Sequence, residues 1–379
     1  MTPVSALFTA SAFTGLAASF IGTVSAQVVA ISAEPVCATG QCHVALSDSV
    51  FLTGIPADVE NRLVRDMVRD PKSGILYALF ERAPDAVYVF DSTGRHSNTL
   101  EPRGNDPNTY ITRVDLDSEG RLQIVDRGHN TRMVLDSRSA DVIEQHTIET
   151  PGRVWDIVFG PSVYVASGPI ATRDAAGFPL HAYDYQGRWQ LSFGVIQPAF
   201  RGDLMPLLLR WVTPADSSSF WATPMNEYRL QRWTFDGRKL AELAGERRWF
   251  TPWVRPPPTR SLDHAPYTYV AGMTSDNSGR LWILFAMPAP EWREALDTLR
   301  DQMGNRMIRP GARYRDSVVE LVDPSRGILI ASARLQGSWS GFADSRHLWR
   351  TWIDAGGKAH TIVVAVGLSQ TTTNNESRQ

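Results

Sequence analysis

The chain has 379 residues, 43% of them apolar, and carries 38 basic against 40 acidic side chains for a net charge of −2. Near-neutral charge with no basic excess argues against a nucleic-acid partner, and the length allows one large core or two domains. Tryptophan, with 12 residues, is abundant for this length; that predicts aromatic packing between structural layers, with a minority left for ligand contact.

In chain order, residues 1–26 read as an export signal. Leu7 to Ile21 is apolar, diluted by Ser, Thr and Gly, and Val24-Ser25-Ala26 before Gln27 suits cleavage after small residues. No Lys or Arg precedes the apolar stretch, so a retained anchor is the competing reading. Beyond it no run reaches the ~20 apolar residues a membrane helix needs, and the expected location is secreted or periplasmic. Residues 27–42 form a leader holding the only two cysteines, Cys37 and Cys42. In an oxidising compartment they are expected to close a small disulfide loop. Two thiolates and His43 make a poor metal set, since zinc takes four ligands.

From residue 62 onward a weak repeat of about 45–60 residues occurs six times, a period typical of propellers and solenoids. Each copy has a short strand, a tight Asp/Gly turn and a second strand rich in Val, Ile, Leu and Trp. The copy at Arg113–Asp136 is the clearest: Val114–Asp117, the turn Asp117-Ser118-Glu119-Gly120, Leu122–Val125, a polar loop, then Met133–Asp136. Asp bonds nearby backbone and Gly accepts positive φ, which makes the turn; the β-branched and aliphatic flanks suit strands. Related turns stand at Asp70–Gly74, Gly160–Ser162, Asp216–Ser219, Asp276–Gly279 and Asp344–Arg346. The sixth copy lacks its outer strand, and His43–Ile55 is the segment that would supply it by closing the ring. The expected fold is therefore all-β: a six-bladed β-propeller of four-stranded antiparallel blades over 43–368, its last blade completed by the N-terminal strand, followed by a disordered tail at 369–379.

Four segments exceed a minimal loop: Ser167–Pro179, Gly194–Leu209, Ala244–Pro266 and Met287–Asp316. In a propeller all four leave from one face, so they are expected to cap one mouth of the ring; long insertions on a compact scaffold commonly carry function. The insertion in the fifth blade is predicted to hold a helix over Pro290–Met303, with Trp292, Leu296, Leu299 and Met303 on one stripe; it serves as packing or as a lid. The 244–266 insertion sets Trp249, Trp253 and Arg255 among prolines. Aromatic and arginine side chains together suit sugars, carboxylates or peptides, or simply tie the loop down.

The segment Asp126…Asn130-x-Arg132 resembles the NHL-type repeat of six-bladed propellers, closely in this copy and more loosely in the others, and the resemblance implies a secreted propeller of NHL-like type. The residues that lead the innermost strands are then the candidate ligand-binding set: Asp66, Arg113, Trp155, Asp156, Arg210, Trp211, Tyr269 and Trp339. His129, Trp249, Trp253, Arg255 and Trp292 join them from the loops. Ring pairing of Asp66 and Asp156 with Arg113 or Arg65 is the alternative role for the charged members. The leading reading is a monomeric binding module for a small-molecule or peptide ligand, without cofactor. A second is a metal-dependent hydrolase, lactonase or lyase: such propellers hold calcium in the channel with six to eight oxygens, here Asp66, Asp156 and Asn226 or Glu227. A third is a scaffold for a protein partner. No H-E-x-x-H, G-x-S-x-G or Walker loop is present.

Overall fold

The computed structural model describes residues 28–371, except 38–40, 105, 137–140, 150–153, 171–176, 195–204, 255–263 and 301–305. The expected export signal at 1–26 lies outside the described residues; of the tail expected at 369–379, residues 369–371 continue the last strand, paired with the N-terminal strand, and 372–379 lie outside the described residues. Two N-terminal strands, β1 (Val28–Ile31) and β2 (Gln41–Phe51), precede six blades. Blade 1 holds β3 (Val64–Arg69), β4 (Leu76–Phe80), β5 (Ala83–Phe90) and β6 (His96–Leu100). Blade 2 holds β7 (Ile111–Leu116), β8 (Leu122–Asp126), β9 (Thr131–Leu135) and β10 (Val142–Thr147). Blade 3 holds β11 (Asp156–Phe159), β12 (Val163–Ser167), β13 (Leu180–Asp184) and β14 (Trp189–Phe193). Blade 4 holds β15 (Arg210–Asp216), β16 (Ser219–Pro224), β17 (Arg229–Thr234) and β18 (Lys239–Gly245). Blade 5 holds β19 (Tyr269–Ser275) and β20 (Leu281–Pro288), then the small hairpin β21 (Leu296–Arg300) and β22 (Arg306–Ile308), then β23 (Arg315–Asp323) and β24 (Ile328–Leu335). Blade 6 holds β25 (Gly341–Asp344), β26 (His347–Ile353) and β27 (Ala359–Thr371), with β2 as its outer strand.

The strand turns form for local reasons. Asp117 Oδ1 accepts the N–H groups of Glu119 and Arg121, and the same carboxylate grip recurs at Asp276, Asp184 and Asp354. Gly94 closes the turn after β5 with φ +82°, and a Cβ there would meet the Phe51 carbonyl at 2.3 Å. That position needs glycine both for its backbone and for the close passage of β2.

Between each pair of neighbouring blades lies a separate apolar core, so central strands are buried on both faces and read as continuous hydrophobic runs. In β4, Leu76, Ala78 and Phe80 face the core shared with blade 6, while Tyr77 and Leu79 face the one shared with blade 2. Tryptophan is used here: Trp221 sits between blades 4 and 5, Trp233 between 3 and 4, Trp282 and Trp339 between 5 and 6, and Trp349 between 6 and 1.

The ring closes as expected. β2 pairs antiparallel with β27, from Gln41 opposite Thr371 to Phe51 opposite Ile362. The leader does more than lead. β1 lies parallel on β18 as a fifth strand of blade 4. Ser32 and Val36 then donate their N–H groups to Gly327 and Leu329 at blade 5, at 2.9 and 2.8 Å. The Cys37–Cys42 disulfide turns this strap into β2. The N-terminal segment thus runs along the outer rim of blades 4, 5 and 6 and covers edges that would otherwise be open to pairing.

The helix expected over Pro290–Met303 is not formed. Residues 291–295 make turns, and β21 and β22 make a hairpin in which Leu296 faces Ile308 and Arg300 faces Arg306. The helical stripe fails because its members part company: Trp292 and Leu296 pack with Ala295 and Tyr314 in a small core of their own, while Leu299 is 65% exposed. A side chain at i+3 from Leu296 belongs on the same helix face but near the opposite face of a strand.

Candidate functional site

The innermost strands line an axial channel of about 910 Å³. Arg65, Tyr110, Trp155 and Trp211 surround its mouth on the insertion side, and Pro71, Ser118, Pro161 and Ser217 surround the other end. Antiparallel order sends the four insertions, which follow β12, β14, β18 and β20, out on the first of these sides.

A charged belt crosses the channel. Arg113 donates Nη1 to Asp66 at 2.8 Å and Nη2 to Asp156 at 2.6 Å, joining blades 1, 2 and 3. Each aspartate also grips the next inner strand: Asp66 Oδ2 accepts from Val114 N at 2.9 Å, and Asp156 Oδ2 from Val212 N at 2.8 Å. Two bulges aim these side chains. The pairing of β3 shifts between Val64 and Asp66, and that of β7 between Ile111 and Arg113; an extra residue at such a point re-aims the side chain that follows. Two residues along β7, on the same face as Arg113, stands Asp115, a half-buried carboxylate absent from the sequence-derived candidates. Its signal was the alternation Arg113-x-Asp115, which period 2 assigns to one face.

Burial pushes Asp156 up to about 6 and Asp115 up to about 7, against the pull of Arg113 in both cases. Burial also opposes the Arg113 charge, but Asp156 and Asp66 outweigh it and hold the guanidinium above its ordinary value. A carboxyl raised in the folded state binds its proton there to higher pH than in the unfolded chain, where it titrates at about 3.9. The folded chain therefore carries extra protons between about pH 4 and 7, and this contribution to stability is lost as pH rises through that window. Asp115→Asn is expected to raise Tm above wild type at about pH 8 and to leave it unchanged near pH 4. Equal melting differences at the two pH values would contradict the assignment of Asp115 as a raised carboxyl.

At the mouth, Trp155 and Trp211 pack edge to face at 5.3 Å, and Trp211 Nε1 donates to Val270 O at 2.8 Å. Arg65 lies over the Tyr110 ring at 5.6 Å and donates to the Ile111 carbonyl. Asp66, Arg113, Trp155, Asp156 and Trp211 are thus brought together around one channel.

The other sequence-derived candidates lie elsewhere. Arg210 is buried, donates to the carbonyls of Leu207 and Leu209, and is lowered to about 10 by burial. Tyr269 packs at a tilt against Tyr267 and lies under Arg315, whose guanidinium is 5.1 Å from its ring. Trp339 is buried in the core between blades 5 and 6. His129 is pinned in its loop by Asp126, at 2.7 Å, and Asp106, at 3.0 Å. Trp249 packs on Phe285, and Trp253 is locked by donating Nε1 to Thr268 O while its backbone N–H and carbonyl bond Asn226. Trp292 belongs to the small core of the blade-5 insertion. Arg255 lies outside the described residues. A crevice between blades 2 and 3, with Asn130, Ser167 and His181 on its walls, has only about 20 Å³, room for about one water. Burial lowers His181 there to about 4, and its Nε2 donates to Gly168 O.

The oxygens suggested for calcium do not converge on a cation site. The Arg113 guanidinium occupies the space between Asp66 and Asp156, and Asn226 spends its amide on Trp253. Among the described residues no group of three or more His, Cys, Asp or Glu is placed to hold a metal.

No protein-family model matches the chain, and no curated protein sequence does. Solved structures do. A member of the DUF4221 family from Bacteroides vulgatus superposes with a TM-score of 0.60 at 10% identity, over 88% of this chain and 100% of that one. Virginiamycin B lyase from Staphylococcus aureus reaches 0.45 at 12% identity, over 84% of this chain and 99% of that one. A luciferin-regenerating enzyme reaches 0.47 at 11% identity, over 84% and 95%. What is shared is the fold. The chain is a six-bladed β-propeller. At such identities a likeness says nothing of ligand or reaction, since one propeller fold hosts many.

Proposed function

We propose that this propeller is an exported, monomeric binding module that holds a small ligand in its axial channel, reached from the insertion side. The observation that carries the reading is the channel itself: about 910 Å³, walled at its mouth by Trp155 and Trp211 and crossed by a fixed belt of charge. Pockets of this size, with aromatic walls and a few placed polar groups, are where small molecules bind. Export is supported by the Cys37–Cys42 disulfide, and among the described residues no helix is long and apolar enough to cross a membrane. The 244–266 and 287–316 insertions act in this reading as buttresses, because Trp249, Trp253 and Trp292 are spent on packing.

A thermal-shift panel of amines, sugars, carboxylates and short peptides tests it. A ligand specific to the folded state stabilises it by about 2.7 kcal/mol at a hundredfold excess over Kd. The expected result is a shift with at least one class in wild type and none in Trp155→Ala. A shift that survives Trp155→Ala and Trp211→Ala alike places the ligand outside the channel mouth, and a panel without any shift removes the basis for a small-molecule function.

A further inference from the structure

The charged belt at the centre of the channel is locally out of balance. Three carboxylates, Asp66, Asp115 and Asp156, share one guanidinium, Arg113, so that with all four ionised the group carries three negative charges and one positive, a net −2. Of the other charged side chains along the channel, Arg69 pairs with Asp344, Asp117 with Arg121 and Asp216 with Arg232, while Arg127 stands exposed at the insertion-side mouth. Arg65 faces Tyr110 and the Ile111 carbonyl rather than a carboxylate.

Within the group, valences differ. Asp66 has both oxygens engaged, by Arg113 and by Val114 N. Asp156 likewise has both engaged, by Arg113 and Ile157 N on one and Val212 N on the other. Arg113 directs both terminal nitrogens at the two aspartates, and the surrounding carboxylates outnumber it, so it is poorly placed to receive a ligand carboxylate. Asp115 differs. Its Oδ1 accepts from Leu116 N at 2.8 Å, while Oδ2 has no bonded partner among the described residues. It stands about 6.6 Å along β7 from Arg113, two residues at 3.3 Å each, and it remains half open to the channel.

An underpaired, partly buried carboxylate beside two like charges favours uptake of either a proton or a cation. The Trp155–Trp211 wall in the same channel offers aromatic surface for an organic body, which favours an organic cation over a bare proton. Resting on the channel reading above, we propose that the ligand is a small organic amine, bound as its ammonium form with the charge seated on Asp115 Oδ2 and the organic body along the Trp155–Trp211 wall. The amine then replaces the proton that burial leaves on Asp115 near neutral pH, so binding releases protons.

Isothermal titration of the exported chain with phenethylamine, phenylethanol and phenylacetate tests this, because the three differ at the headgroup. Phenethylamine is expected to bind at least about tenfold more tightly than the alcohol, with phenylacetate weakest. Its binding heat should vary with the ionisation enthalpy of the buffer, as proton release requires. Asp115→Asn, close to isosteric, should bring amine and alcohol to equal affinity, while its melting transition confirms a folded ring. If the alcohol or the acid binds wild type as tightly as the amine, the ammonium inference is overturned and the channel reading stands. Binding of none of the three also overturns the inference; the channel reading is then decided separately by the broader thermal panel and the Trp155→Ala comparison.

Discussion

Removal of residues 27–54 is expected to abolish the folded ring. β2 pairs with β27 at ten positions, from Gln41 opposite Thr371 to Phe51 opposite Ile362. At about 0.5–1.5 kcal/mol net for each backbone hydrogen bond, a ladder of that length is worth roughly as much as the 5–15 kcal/mol by which a folded domain is stable. Its loss also leaves blade 6 with three strands and β27 as a long open edge beside the buried Val363, Val364 and Val366, a template for aggregation. The truncated chain should elute as aggregate in size-exclusion chromatography and lack a cooperative melt. A synthetic peptide of residues 41–55 should restore a monomer when present during refolding. Deleting only 27–36, which strips β1 and the contacts of Ser32 and Val36 at the rim of blade 5, should lower Tm and keep the ring. A soluble, cooperatively melting 55–379 chain would show that closure by β2 is dispensable.

The second large effect is expected at Glu320. This carboxylate is 1% exposed and takes both Nε and Nη2 of Arg247, itself 5% exposed, at 2.8 and 3.1 Å. It also accepts from Tyr228 Oη at 2.6 Å, and burial together with the Glu320 charge holds that phenol well above its ordinary value. The cluster ties the 244–266 insertion, through Arg247, to β23 in the centre of blade 5. Glu320→Ala leaves a guanidinium and a phenol buried without their acceptor, and removing one partner of a buried pair costs about 3–5 kcal/mol. Urea unfolding at neutral pH should show that loss, with the slope unchanged if the native state keeps its extent. Glu320→Gln, which keeps an acceptor for Arg247, should cost less. A loss below about 1 kcal/mol for the alanine variant, the range of exposed pairs, would mean that water or a rearranged insertion takes over the role of Glu320.

Much of the architecture is local physics and was therefore legible. Turns such as Asp117–Gly120 and Asp276–Gly279 carry their own carboxylate grip, and the six copies they punctuate set the number of blades. The missing outer strand of the sixth copy pointed to His43–Ile55, and β2 fills that place because antiparallel pairing needs only a free edge and a matching run. Cysteines five residues apart in a short leader met the steric demand of a disulfide with no further information.

What escaped depended on neighbours far away in the chain. The insertion at 290–303 carries both a helical stripe and a strand pattern, and Tyr314 and Ile308 settle it by packing with Trp292 and Leu296 from beyond the segment itself. Trp339 and Trp155 both stand at the head of an inner strand, yet one fills the core between two blades and the other walls the channel. In a pleated strand a one-residue shift reverses the face. The bulges before Asp66 and Arg113 make that choice for the charged belt. The sequence by itself determined the repeat, its turns and the closing strand, because these rest on contacts within a few residues or on an edge that must be filled. Only the tertiary structure decided that aspartates of blades 1 and 3 meet the arginine of blade 2, because that meeting depends on register and bulges summed across the ring.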